Sequence, residues 1–291
     1  MLSGSIVALA TPFCEDGSVN FERLGEWIEF QIENGTDGIL VLGTTGESST
    51  MSHEEDDAVC AYAVVKVAGR AKVIAGCGSN STETQLMKSK TYAGMGVDAL
   101  LCISPYYNKA NEEGMYRHFA TVADAVDKPI ILYNVPGRTS CSISPSVVGR
   151  LSKHKNVIGI KEASGDISYA VKIAKYLNDD FVMFSGNDDI TIPLMSLGAK
   201  GVISVWANIM PKECHDMVHH YLEGRYEEAR EMQIRYLSVM NALFMEVNPI
   251  PVKEAMNLMG MKAGGFRLPL YPMTEEHRNQ LAKVLKEFNL I

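Results

Sequence analysis

Eight short apolar runs, each bounded by Gly, Pro or Asp, punctuate the first two hundred residues, and an amphipathic stretch separates each run from the next. The runs are Ser5–Ala10, Gly38–Leu42, Lys72–Gly76, Ala99–Ser104, Pro129–Asn134, Val157–Lys161, Phe181–Ser185 and Gly201–Val205. Their length and β-branched content read as strands. Between them, Phe21–Asn34, Glu54–Val67, Thr82–Gly94, Glu112–Ala125, Pro145–Leu151, Ile167–Tyr176 and Ile190–Leu197 are each long enough for a helix of two to four turns. Helix-start signals precede several of them: Ser52, Ser144, and Asn187-Asp188-Asp189. Near-continuous apolar strands in strict alternation with helices imply a parallel sheet covered on both faces. Eight such units make an α/β fold of the (β/α)8 TIM-barrel type. A doubly wound sheet would carry a glycine-rich phosphate turn after its first strand, and Ala8-Leu9-Ala10-Thr11-Pro12-Phe13 has none.

Beyond the eighth strand the pattern turns helical, at Pro211–Leu222, Tyr226–Phe244, Pro251–Met259 and Thr274–Phe288, with no Gly/Pro/Ser-rich linker. We therefore expect a barrel over residues 1–208 and a C-terminal helical extension, 209–291, packed on it. Hydrophobic content of 46% and charged content of 21% suit a globular chain with a large core. A net charge of −8, without Lys/Arg runs, argues against a nucleic-acid partner. No apolar stretch approaches the ~18 residues of a membrane span, and the first residues carry no signal-peptide pattern. Cys14, Cys60, Cys77, Cys102, Cys141 and Cys214 are scattered without CxxC pairs, as in proteins of a reducing cytoplasm. His215, His219 and His220 share a helix without completing an HExxH pattern, so they read as a solvated face and no metal site is expected.

One residue breaks the strand pattern. Val157-Ile158-Gly159-Ile160-Lys161 is an apolar run that ends on an ammonium. Burying that charge is costly unless it is paired or the lysine gives up its proton. A neutral lysine in a pocket is a nucleophile for a carbonyl, through a Schiff base. The plainer reading is an exposed lysine just past a strand end.

Chemistry in such barrels collects at the C-terminal ends of the strands. There this chain presents Gly43-Thr44-Thr45-Gly46-Glu47-Ser48, Ser104-Pro105-Tyr106-Tyr107, Tyr133-Asn134-Val135-Pro136-Gly137-Arg138-Thr139, Lys161, Gly186-Asn187 and Ile203-Ser204. The Gly43–Gly46 turn, with the Thr44 and Thr45 hydroxyls, can cradle a carboxylate. Tyr133 can relay protons, and Arg138 offers a planar fork for a second carboxylate. Each signal alone also fits an ordinary turn, a core tyrosine or a surface arginine. Their meeting at one barrel mouth with Lys161 singles out a keto-acid site.

With these blocks in view, and with Asn248-Pro249-Ile250-Pro251-Val252-Lys253, the chain resembles the dihydrodipicolinate synthase (4-hydroxy-tetrahydrodipicolinate synthase) family of class I pyruvate aldolases, end to end. The resemblance implies a lyase that condenses pyruvate with L-aspartate 4-semialdehyde in lysine and diaminopimelate biosynthesis. It implies Lys161 as the Schiff-base lysine, and a proton relay of Thr44, Tyr133 and Tyr107, with Tyr107 reaching into a neighbouring subunit. It further implies Thr45 on the pyruvate carboxylate, Arg138 on that of the semialdehyde, and backbone contacts from Gly186 and Ile203. A cytoplasmic homotetramer needing no metal or organic cofactor is implied as well. Ser48, His53, Asn80 and Tyr106 match a lysine-inhibition site found in many relatives. Thr84 stands where sensitive relatives carry a glutamate, Glu83 lies one residue off and Asp56 stands where a histidine or acid is common, so weak or absent inhibition is expected. Two other readings stay open: a lyase of keto sugar acids, which would not need Arg138, and a catalytically silent barrel kept as a binding protein.

Overall fold

Side-chain alternation along the strands builds two separate cores. In β1 (Gly4–Ala8), Ile6 and Ala8 point inward, whereas Val7 points out. The same division recurs in β2 (Gly38–Val41), β3 (Lys72–Gly76), β4 (Ala99–Ile103), β5 (Ile130–Asn134), β6 (Val157–Glu162), β7 (Val182–Ser185) and β8 (Gly201–Ser204). Ile6, Leu40, Ile74, Leu101, Ile131, Phe184 and Ile203 fill the interior, while Val7, Ile39, Val73, Leu100, Ile160, Met183 and Val202 pack beneath the helices. Each such side chain contributes roughly 1.5–3 kcal/mol on burial. The computed structural model describes residues 2–291.

All neighbouring strands pair in parallel and in chain order, and β8 returns to β1 to close the barrel. Gly4 and Gly201 face each other at that seam, and Gly201 has φ +147°. A Cβ on Gly201 would collide with the Gly4 carbonyl oxygen, so this crossing requires glycine. The (β/α)8 architecture expected from the alternation is thus the one observed.

The helix starts are largely where the sequence signals put them. Ser52 and Glu55 form a reciprocal capping box on helix His53–Val67, and Ser144 accepts from the Val147 N–H. Asn187-Asp188-Asp189 behaves differently. It opens a short 3₁₀ turn without a side-chain cap, and the buried Asp188 carboxylate accepts instead from the Val205 and Trp206 N–H groups at 3.0 and 2.9 Å. Tyr226–Phe244 is also not one helix. It breaks at Tyr236 into Tyr226–Arg235 and Leu237–Ala242.

Helix Pro211–Leu222 packs on β1 and β8, and helices Ile250–Leu258 and Glu275–Glu287 pack on each other. Among the described residues no helix is long and apolar enough to cross a membrane. All six cysteines are free. His215 and His219, read from sequence as a solvated face, are half-buried and turn onto Asp37.

Candidate active site

Register sets the centre of the site. Tyr133 on β5 pairs with Lys161 on β6, and Lys161 pairs in turn with Phe184 on β7. Registered neighbours on parallel strands point the same way, so lysine, phenol and phenyl share the barrel interior near its C-terminal end. The Lys161 ammonium nitrogen lies 4.7 Å from the Tyr133 ring centroid. Glu162, the next residue, points to the opposite face, where Asn134 and the Ser164 N–H hold its carboxylate at 2.7 Å each.

Lys161 is only 5% exposed, and among the described residues no carboxylate forms an ion pair with it. Burial lowers its pKa to about 8, with Arg138 adding to the fall and Asp188 opposing it. At pH 7 a lysine of pKa about 8 is roughly one-tenth neutral, against roughly one part in three thousand at the ordinary 10.5. Glycine at 186 makes room for the lysine stem, because a Cβ there would meet Lys161 Cε at 3.0 Å and crowd the Ala163 methyl.

Above Lys161 opens a cavity of about 360 Å³ lined by Thr44, Thr45, Tyr133, Arg138, Gly186 and Asn248, among others. Burial pushes the Tyr133 phenol up, so it holds its proton at neutral pH, and the opposing Thr44 side chain tempers the effect. Asn248 Nδ2 donates to Thr45 Oγ1 at 3.0 Å, which leaves the Thr45 hydroxyl proton free to donate. Arg138 sits exposed at the rim on the short helix Pro136–Thr139, and its Nη2 donates to the Asn248 carbonyl at 3.0 Å. The arrangement can hold a small keto acid against an amine, with one hydroxyl donor, one protonated phenol and one guanidinium around it.

Two expected residues lie elsewhere. Ile203 is buried in the barrel interior and does not line the cavity. Tyr107 is 94% exposed, with a left-handed backbone (φ +68°), and touches neither this cavity nor the next. That neighbouring cavity, about 400 Å³, shares Thr44, Tyr133 and Arg138 with the first and is lined by Ser48, His53, Thr84, Lys88 and Tyr106. Asn80 borders it, donating to the Tyr106 carbonyl at 3.2 Å. Asp56 is buried and paired with Lys88 at 2.7 Å, and Glu83 is exposed outside the cavity.

Four side chains that matter here escaped the sequence reading. Asp188 was legible only as a helix start, although it is the carboxylate whose charge acts on Lys161. Asn248 sat in a motif without an assigned contact. Glu47 and Lys253 form a fully buried ion pair at 2.7 Å that ties the Gly43–Gly46 turn to the C-terminal extension. Lys253 also donates to the Gly265 carbonyl at 2.6 Å.

Residues 1–288 match the Dihydrodipicolinate synthetase family. A 4-hydroxy-tetrahydrodipicolinate synthase of a Thermoanaerobacter species is 51% identical over 292 aligned positions, covering 100% of this chain and 98% of that protein. Among solved structures, the dihydrodipicolinate synthase of Aquifex aeolicus superposes with a TM-score of 0.97 at 46% identity over 99% of both chains. That of Acinetobacter baumannii, described as chloride inhibited and complexed with pyruvate, gives 0.98 at 40% identity over 100% of both.

Proposed function

The chain belongs to the dihydrodipicolinate synthetase family, and from that premise we propose how its own residues carry the reaction. The activity is the lyase-class condensation of pyruvate with L-aspartate 4-semialdehyde, a step of lysine and diaminopimelate biosynthesis. The neutral Lys161 amine attacks the pyruvate ketone, and the carbinolamine loses water to give a Schiff base. Tyr133 supplies the proton for that departure, with Thr44 beside it as the next relay member. Loss of a methyl proton gives an enamine, which adds to the aldehyde carbon of the semialdehyde. The semialdehyde's own amine then displaces Lys161, closing the ring and freeing the enzyme, so one water leaves per turnover.

The Thr45 hydroxyl binds the pyruvate carboxylate, and Arg138 binds that of the semialdehyde in a charge-assisted pair. Gly186, which lines the cavity, acts through its backbone, whereas Ile203 supports it only from the barrel interior. The observation that carries this reading is a buried lysine with no carboxylate partner among the described residues, its pKa lowered by burial to about 8, under a cavity with donors for two carboxylates. Reduction with borohydride in the presence of pyruvate, then intact mass and peptide mapping, tests it. An adduct on Lys161 is expected; active protein that traps no adduct, or traps it elsewhere, removes the assignment.

Tyr107 completes the relay of a neighbouring subunit in a homotetramer; its exposure and strained backbone outside its own cavity support that role. The free cysteines support a cytoplasmic setting. The barrel, 1–208, carries the lysine and the strand ends, and the extension, 209–291, braces the mouth through Asn248 and Lys253. Ser48, His53, Asn80 and Tyr106 form the counterpart of the lysine-inhibition site. With Thr84 in it and Asp56 occupied by Lys88, it binds lysine weakly or not at all. Half-inhibition by sub-millimolar lysine in a steady-state assay would refute this.

A further inference from the structure

At the base of the barrel, on the face away from the mouth, three side chains converge that the reaction does not use. Asp37 immediately precedes β2, and helix Pro211–Leu222 carries His215 and His219 one turn apart on one face. His219 Nε2 lies 2.9 Å from Asp37 Oδ2, His215 Nδ1 lies 3.6 Å from the same oxygen, and the two rings stack with centroids 3.9 Å apart. All three potential ligand atoms fall within 4.8 Å of one another.

The pocket is built by missing side chains. The Ser5 N–H donates to Asp37 Oδ2 at 2.8 Å and fixes the carboxylate. Gly4 (φ +98°) permits this, since a Cβ there would run into that carboxylate. Gly35 (φ +82°) likewise gives way to the His215 ring, which a Cβ would approach to 3.3 Å.

As it stands the cluster is under-satisfied. Among the described residues the buried His215 Nδ1 has no hydrogen-bond partner, because 3.6 Å to Asp37 is too long. Protonating both stacked imidazoles would set two cations face to face beside one carboxylate. A divalent ion held by the three groups would give His215 Nδ1 a partner, once the imidazoles turn out of a stack whose planes lie 25° apart. In a tetrahedral zinc site with bonds near 2.0–2.1 Å, ligand atoms stand roughly 3.3 Å apart; the two separations to Asp37 Oδ2, 2.9 and 3.6 Å, fall on either side of that, and the histidine nitrogens lie within 4.8 Å of each other.

We propose that Asp37, His215 and His219 bind a divalent transition cation of the zinc type, with water completing the coordination. Two imidazoles and one carboxylate select zinc, cobalt or nickel over magnesium or calcium. The side chains are 28%, 26% and 30% exposed, open enough for an ion to enter from solvent. The site is structural: it clamps helix Pro211–Leu222 to the start of β2, at the end of the barrel remote from Lys161.

The test uses the full, tag-free chain stripped with a chelator and titrated with Co²⁺, following the visible d–d bands, and with Zn²⁺ by calorimetry. One equivalent per chain is expected, with a rise in melting temperature on zinc addition. H215A and H219A should each weaken binding at least tenfold, and the double variant should abolish both the bands and the thermal shift. D37N keeps an oxygen for the Ser5 N–H while losing the charge, so it should lose affinity yet stay folded. Retained synthase turnover serves as the check that each variant is folded. No saturable binding by the wild-type chain, or binding undiminished in the double histidine variant, overturns the proposal.

Discussion

Two lysines in this molecule are withdrawn from water and meet opposite fates. Lys253 is 0% exposed, and Glu47 and the Gly265 carbonyl meet its ammonium at 2.7 and 2.6 Å, between the rings of Phe13 and Phe266. Lys161 is nearly as buried, but the face of the Tyr133 ring lies over it, and among the described residues no partner carboxylate does. For both, burial is the largest influence on pKa and acts downward; Glu47 opposes it at Lys253, while only the more distant Asp188 does so at Lys161. Burial alone therefore does not make a lysine reactive. Withholding the counter-ion does, and the fold does this at one lysine and not at the other.

The contrast is sharpest in turnover. Lys161→Met should lower kcat at least about ten-thousandfold, since it removes the nucleophile, and should abolish pyruvate trapping. Stability reverses the ranking. Lys253→Met should cost about 3–5 kcal/mol in urea unfolding at pH 7, because it leaves the Glu47 carboxylate buried alone. Lys161→Met should gain up to roughly 3 kcal/mol, the cost at neutral pH of a lysine whose pKa falls from 10.5 to about 8. If both variants lose stability alike, the distinction between them fails.

A smaller effect checks the Lys253 side. Adding Glu47→Leu to Lys253→Leu should restore about 2 kcal/mol over the single lysine variant, since neither charge then remains stranded. The smallest concerns pH and Lys161. The folded chain gives up this proton before the unfolded chain does, so a rise in pH from about 8 to 10.5 should favour folding. Below about 8, the rate of pyruvate trapping should climb tenfold per pH unit and then level off. A flat profile between pH 6 and 8 would mean that Lys161 reacts from a differently tuned state.

Much of this was legible because it is local. Short apolar runs and their Gly, Pro and Asp punctuation revealed all eight strands, and a charge at the end of one such run revealed Lys161. The break at Tyr236 was not legible, because no Gly or Pro marks it and residue 236 simply adopts φ −95°, ψ 5°. Asp188 was misread for a related reason: Asn-Asp-Asp has the composition of a cap, while its actual partners are the amides of Val205 and Trp206 after the next strand. Glu47 and Lys253 lie 206 residues apart, and no periodicity couples them. Nor could helical spacing alone reveal that His215 and His219 turn onto Asp37, which belongs to the opposite end of the chain.

The Glu47–Lys253 pair also carries a timetable. A ribosome adding about 5–20 residues per second makes Glu47 roughly 10–40 s before Lys253. Until then the barrel strands can assemble, but the turn bearing Thr44 and Thr45 has neither its buried cation nor the Asn248 amide that holds Thr45. The nascent chain thus acquires its scaffold first, and its working mouth only after Asn248 and Lys253 have been made.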